Sequence, residues 1–127
     1  MIETLQKLLE NNYYRGENIL LTPSRKELNL LNLENVKNWF EFNKPTVVIL
    51  AAAKVGGILA NSIYPYDFLI ENLTIQQNVI KTAWLNGVKR FLFLGSSCIY
   101  PKYSKQPIKE EELLTGELEK TNECYAI

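Results

Sequence analysis

The sequence has 127 residues, enough for one small domain with one core. Fourteen basic and fourteen acidic residues leave no net charge, so no basic surface argues for nucleic acid. The longest apolar run, Val47 to Ala53, falls well short of the roughly 20 residues that a bilayer requires.

Ile2, Leu5, Leu8 and Leu9 recur at helical spacing, so residues 2–11 are expected to form an amphipathic helix. Glu3, Lys7 and Glu10 among those leucines are unlike a signal peptide. Gly16 follows as a connection, and Asn18–Thr22 reads as a short buried strand stopped by Pro23. Leu33, Val36, Trp39 and Phe40 make a second helical stripe, closed by Asn43 and Pro45. Thr46–Ala52 is continuously apolar and rich in β-branched residues, as a strand buried on both faces of a parallel sheet would be. Lys54-Val55-Gly56-Gly57 is a loop. Pro65 can open the next helix, because the first helical position loses no hydrogen bond to proline. Phe68, Leu69, Leu73, Val79, Ile80, Ala83 and Trp84 fill that helix, and Asn86-Gly87 stops it. Arg90–Leu94 is another buried strand, with Gly95-Ser96-Ser97 at its carboxyl end. The acidic triplet Glu110–Glu112 lies in the loop beyond, and a short helix is expected near the end.

Apolar strands alternating with helices define right-handed βαβ units and a parallel α/β sheet. In such sheets ligands bind beyond the carboxyl ends of the strands. The positions to examine are therefore Thr22–Lys26, Ala51–Gly57 and Gly95–Tyr100. Ser96 and Ser97 either present hydroxyls to that crevice or merely turn the chain. Cys98 is either a reactive thiol or a small buried apolar residue. Cys98 and Cys124 make neither a metal spacing nor a disulfide framework, which fits a reducing, cytoplasmic setting. The sequence contains no histidine, so any imidazole chemistry needs residues other than these.

The string Gly-Ser-Ser-Cys-Ile-Tyr-Pro at Gly95–Pro101, following Phe-Leu-Phe-Leu, resembles the active-site strand of the GDP-L-fucose synthase family, a branch of the extended short-chain dehydrogenases. Ala51-Ala52-Ala53-Lys54-Val55-Gly56-Gly57-Ile58 resembles its preceding strand and loop, and Thr121–Ile127 its tyrosine segment. Lys105-Gln106-Pro107 and Glu112-Leu113-Leu114 match the loop between them. The likeness runs from about residue 18 onward.

The resemblance implies a Rossmann-type doubly wound sheet and NADPH-dependent epimerisation and 4-keto reduction of GDP-4-keto-6-deoxymannose. It implies Tyr125 as proton donor to the carbonyl oxygen, Ser96 as a second hydrogen-bond partner, and Cys98 as one member of the epimerisation acid/base pair. It places Arg25 and Lys26 at the adenosine 2′-phosphate, although both also read as solvated loop cations. Asn29 and Leu30 fall on the adenine side. Ala51, Ala52 and Ala53 are small enough for the cofactor to pass close to the backbone, and Leu94, Gly95, Ser96 and Ser97 would line the nicotinamide end together with Tyr125. Asn72 either braces the strand end from the long helix or is simply solvated. Cys124 stands where the family commonly has proline, and no crosslink to Cys98 is expected.

Measured against the family, residues 1–127 are expected to be an incomplete NADP-binding unit. Its first strand and Gly-x-x-Gly-x-x-Gly loop, a lysine at position 129, a histidine and a C-terminal substrate domain are not among them. With sheet order 3-2-1-4-5, the second and fourth strands would then face an empty lane of roughly 9–10 Å, so the sheet should either close up or split, with marginal folding and no activity. Another nucleotide-sugar epimerase or dehydratase, or a non-catalytic binding or dimerisation module, are the competing readings. In the last of these the helix from Pro65 would serve for pairing, as in a homodimer, instead of packing on its own sheet.

Overall fold

The computed structural model describes residues 19–127; the helix expected at 2–11, Gly16 and Asn18 lie outside them. Five regular elements precede the tyrosine segment: helix α1 (Leu33–Asn43), strand β1 (Val47–Leu50), helix α2 (Ile58–Ile63), helix α3 (Pro65–Leu85) and strand β2 (Arg90–Phe93). A 3₁₀ turn at Ser97–Ile99, a second at Glu110–Glu112 and helix α4 (Glu123–Ala126) follow. The acidic triplet is thus a solvated turn. No helix among the described residues is long and apolar enough to cross a membrane.

Local chemistry accounts for the helix ends. The Asn32 side chain accepts from Asn35 N–H and so caps α1, while Lys44 closes it in the left-handed conformation at φ 45°, just before Pro45. Pro65 stands in the first turn of α3. At the other end Gly87 takes φ +70°, its N–H donates to Trp84 C=O at 3.1 Å, and Val88 N–H donates to Ala83 C=O at 3.0 Å. Those paired bonds are a Schellman closure, which requires a residue tolerant of positive φ.

β1 and β2 pair in parallel, with Val48 opposite Phe91 and Leu50 opposite Phe93. The connection between them runs through α2 and α3, as a βαβ unit demands. Leu28, Val36, Phe40, Leu50, Ile75, Val79 and Ala83 form the core, with Trp39, Val48, Val88 and Phe91 packed against it. α1 and α3 thus cover one face of the ladder.

Two expectations require correction. Asn18–Thr22 was read as a strand, yet among the described residues 19–22 join no ladder, and Ile19 is 84 % exposed. A strand exists only by exchanging hydrogen bonds with a neighbour, and none of the described segments lies alongside this one. Burial on both faces of the strands also fails. Val48 and Leu50 face the core, whereas Val47, Ile49 and Leu92 look outward from a face that no described element covers. Among the described residues the ladder holds β1 and β2 alone. The expected α/β architecture with a parallel ladder holds.

α2 was not anticipated. Its residues, Ile58 to Ile63, carry too few turns for a periodic signal. It is held by Asn61, whose side-chain amide donates to the carbonyls of Gly56 and Gly57, both at 3.1 Å.

Candidate active site

The site is built from two loops leaving the carboxyl ends of the parallel strands and from the segment that returns over them. Leu94 N–H donates to Leu50 C=O at 3.0 Å, extending the ladder by one bond. This sets Ala51–Ala53 beside Leu94–Gly95. Ala51, Ala52, Ala53, Leu94, Gly95 and Ser97 are all exposed. A Cβ built on Gly95 would meet nothing within 4 Å, so the space over this edge is open. The small side chains that a ligand passing close to the backbone requires are therefore present and uncovered.

Beyond Ala53 the loop is clamped. Lys54 N–H donates to Asn72 Oδ1 at 2.7 Å, and Asn72 Nδ2 donates back to Lys54 C=O at 3.1 Å. Asn72 is only 8 % exposed, so it braces the strand end from α3 and is not simply solvated. The Lys54 ammonium pairs with Glu71, sits 4.0 Å from Asp67 and lies 5.6 Å from the centre of the Phe68 ring. Phe68 in turn fills the space beside Gly56, where an added Cβ would come within 2.7 Å of its Cζ.

After Gly95, Ser96 caps the 3₁₀ turn by accepting from Cys98 N–H at 3.2 Å. The Ser96 hydroxyl thus both turns the chain and stands at the strand end, so the two sequence readings are not exclusive. Cys98 is half-buried, and its Sγ accepts from Asn122 Nδ2 at 3.2 Å. Asn122 also heads α4: its main-chain carbonyl accepts from Tyr125 N–H at 2.9 Å and from Ala126 N–H at 3.0 Å. The Tyr125 ring packs edge-on against Phe68, with centroids 6.4 Å apart. Hydrogen bonds therefore connect Ser96, Cys98, Asn122 and Tyr125 in sequence, and Phe68 links that group to the Gly56 loop.

The intervening loop is tied at its base. Lys102 N–H donates to Glu117 C=O at 3.0 Å, and the Lys102 ammonium lies 2.6 Å from the Glu119 carboxylate. That partner holds the Glu119 carboxyl below its ordinary value and raises Lys102 above its own. The closure returns the chain to the strand end, so that α4 rests on α3 and on the 3₁₀ turn.

Arg25 and Lys26 stand apart from this group. Both are exposed in a turn, and neither forms an ion pair among the described residues. Glu27 organises the turn by accepting Ser24 N–H at 2.8 Å, which holds its carboxyl below the ordinary value. Asn29 Oδ1 accepts from Leu31 N–H, and Leu30 C=O accepts from Asn78 Nδ2 at 2.8 Å. This segment is therefore pinned to α3.

A cavity of about 280 Å³ lies between the α2–α3 junction and Lys120–Cys124. Asn61, Asn122 and Cys124 line it, whereas Ser96, Cys98 and Tyr125 do not. Sequence reasoning missed Asn122 and Asn61. The available signal was an asparagine just ahead of the tyrosine helix and another four residues after Gly57.

A parallel βαβ ladder with small residues and loops at the carboxyl ends of its strands matches part of a Rossmann-type α/β sheet. Residues 5–127 match the NAD dependent epimerase/dehydratase family, and the chain belongs to that family. It is 56% identical over 113 residues to GDP-L-fucose synthase 1 of Arabidopsis thaliana, covering 89% of this chain and 35% of that protein. To GDP-L-fucose synthase of Escherichia coli (strain K12) it is 54% identical over 113 residues, with the same coverage of 89% and 35%. Among solved structures, a GDP-mannoheptose C4 reductase from Campylobacter jejuni with NADP bound superposes with a TM-score of 0.84 at 41% identity, over 98% of this chain and 37% of that one. The chain thus spans about a third of the length of the curated relatives it matches.

Proposed function

We propose that these residues form the NADP-side and acid–base part of an enzyme that epimerises GDP-4-keto-6-deoxymannose and reduces its 4-keto group to give GDP-L-fucose. The observation that carries this reading is the run of contacts at the carboxyl end of β2, in which Ser96 Oγ accepts from Cys98 N–H, Cys98 Sγ from Asn122 Nδ2, and Asn122 C=O from the Tyr125 main-chain N–H. Its likeness to the GDP-L-fucose synthases supports the choice of substrate.

Each residue answers a chemical need. Reduction of a ketone places negative charge on oxygen, and Tyr125 would donate a proton there while Ser96 offers a second hydrogen bond. Epimerisation requires proton removal next to the ketone, and Cys98 would exchange that proton at the sugar carbon. NADPH, when bound, supplies the hydride. Ala51, Ala52, Ala53, Leu94, Gly95 and Ser97 would hold it along the open strand ends, with Asn29 and Leu30 toward the adenine. Arg25 and Lys26 would meet a 2′-phosphate by charge. The 127 residues include no histidine, so the acid partner that the family implies for Cys98 is not among them.

Likeness to the C4 reductase carries a second reading, in which a GDP-4-keto sugar is reduced without epimerisation and Cys98 has no catalytic part. A chimera separates the two. This chain replaces the matching segment of the Escherichia coli relative, and turnover of GDP-4-keto-6-deoxymannose is followed in heavy water. The first reading expects NADPH oxidation with deuterium in the product. Tyr125→Phe should lower turnover by about 10²–10⁴, and Cys98→Ser should abolish deuterium uptake. Reduction without deuterium uptake favours the second reading, and a folded, NADP-binding but inert chimera defeats both.

A further inference from the structure

We propose that Asn122 is a positioning residue for Cys98, its side-chain amide donating to the sulfur and holding it in place. The use made of that sulfur rests on the reading above. The hydrogen bond itself does not.

Asparagine ahead of a helix ordinarily turns its Oδ1 back to accept an N–H of the first turn. Asn32 does this for α1. Asn122 occupies the same place before α4 and makes no such side-chain bond. Instead its Nδ2 reaches across 24 residues of sequence to Cys98 Sγ at 3.2 Å. Its Oδ1 is buried and has no partner among the described residues. The side chain thus gives up both its cap bond and a partner for its oxygen in order to meet the sulfur. An N–H donor gains little from a neutral thiol and much more from a thiolate, because charge-assisted bonds are the stronger ones.

The main chain of the same residue sets the second half of the geometry. Asn122 C=O receives Tyr125 N–H, and Cys98 N–H is already held by Ser96 Oγ. Asn122 therefore joins, by hydrogen bonds, the strand-end turn that carries Ser96 and Cys98 to the helix that carries Tyr125. It touches no reacting atom in this scheme and acts through Cys98.

The test is alkylation of Cys98 by iodoacetamide at fixed pH in the 127-residue protein, read by mass spectrometry. Cys124, two residues along from Asn122, serves as the internal reference. Asn122→Ala and Asn122→Asp are compared. Asparagine and aspartate head helices about equally well, so a purely structural role predicts that Asp resembles the native protein and Ala does not. A role as donor to the reacting sulfur predicts the reverse order: about threefold to tenfold slower alkylation in Ala, and slower still in Asp, where a carboxylate faces the sulfur. An Asp variant that alkylates Cys98 as fast as the native protein overturns the proposal. So does slowing of Cys98 and Cys124 alike. No sugar nucleotide enters this readout, so its failure leaves the functional reading standing, and an inert chimera leaves this bond standing.

Discussion

Replacing Asn72 with leucine should release the strand-end loop from α3. The side chain is nearly fully buried and exchanges two hydrogen bonds with the Lys54 backbone, accepting at 2.7 Å and donating at 3.1 Å. Each bond contributes about 1 kcal/mol net, and stranding a partly buried N–H and C=O adds about 1 kcal/mol more. Leucine is close in volume, so no cavity term enters, and its extra apolar burial offsets a fraction of the loss. The expected destabilisation is about 2–3 kcal/mol. It can be read from urea unfolding with Trp39 as the fluorescent probe, since its half-buried ring packs against the core. Amide exchange gives a sharper readout, because the Lys54 N–H should lose protection in the variant beyond what global unfolding accounts for. Asn72→Asp separates the two bonds. A carboxylate still accepts from Lys54 N–H but repels the Lys54 carbonyl, whereas a protonated carboxyl can donate to it. The deficit relative to the native protein should therefore shrink as pH falls and the carboxyl gains a proton. A leucine variant that loses less than about 0.5 kcal/mol, with Lys54 exchange unchanged, would refute this account of the clamp.

Gly56→Ala should destabilise by about 1–3 kcal/mol, because the new methyl meets Phe68 Cζ at 2.7 Å and Ala60 Cβ at 3.2 Å. Phe68→Leu in the same chain should return part of that loss in thermal melts, and no recovery would show that the ring is not the obstacle. Gly87→Ala should cost about 1 kcal/mol through its φ of +70° alone, since open space surrounds the site. The Lys102–Glu119 pair predicts a pH window. Glu119 is depressed, so its support is present above the ordinary carboxylate value and is lost as pH falls through the lower folded value. Lys102 is raised, so its support is present below the ordinary lysine value and is lost as pH rises through the higher folded one. Carboxylate titration by NMR should show Glu119 moving back toward its ordinary value in Lys102→Met, and no movement would remove the pair as the cause.

The helices were legible because their signals are local. Apolar spacing marks α1 and α3, Pro65 marks a start, and Gly87 marks a stop that only a residue tolerant of positive φ closes well. The ladder was legible from its apolar runs, but how many of its faces are covered was not. Covering depends on which other segments lie alongside, and Val47 and Leu92 carry no local trace of that. Residues 19–22 show the same dependence, because an apolar string becomes a strand only when it has a neighbour. At the site, Ser96, Cys98 and Tyr125 stood out through their motif. Asn122 did not, because its importance comes from a contact made across 24 residues of sequence.

Asn61, Asn72 and Asn78 share a physical logic that explains why amides suit the backbone contacts of these loops. A loop leaving a strand end has backbone donors and acceptors with no ladder partner, and burying them unpaired is unfavourable. An asparagine offers one acceptor and two donors on a short stem, so one side chain can answer either need. Asn72 answers both at Lys54, Asn61 meets the Gly56 and Gly57 carbonyls, and Asn78 meets the Leu30 carbonyl. All three side chains are more than nine-tenths buried, where an unpaired charge would be strongly penalised. A neutral brace also does not titrate. These three contacts therefore do not themselves change with pH. Asn122 departs from the pattern by turning its amide to a sulfur instead of the backbone, and that departure falls where the proposed chemistry needs it.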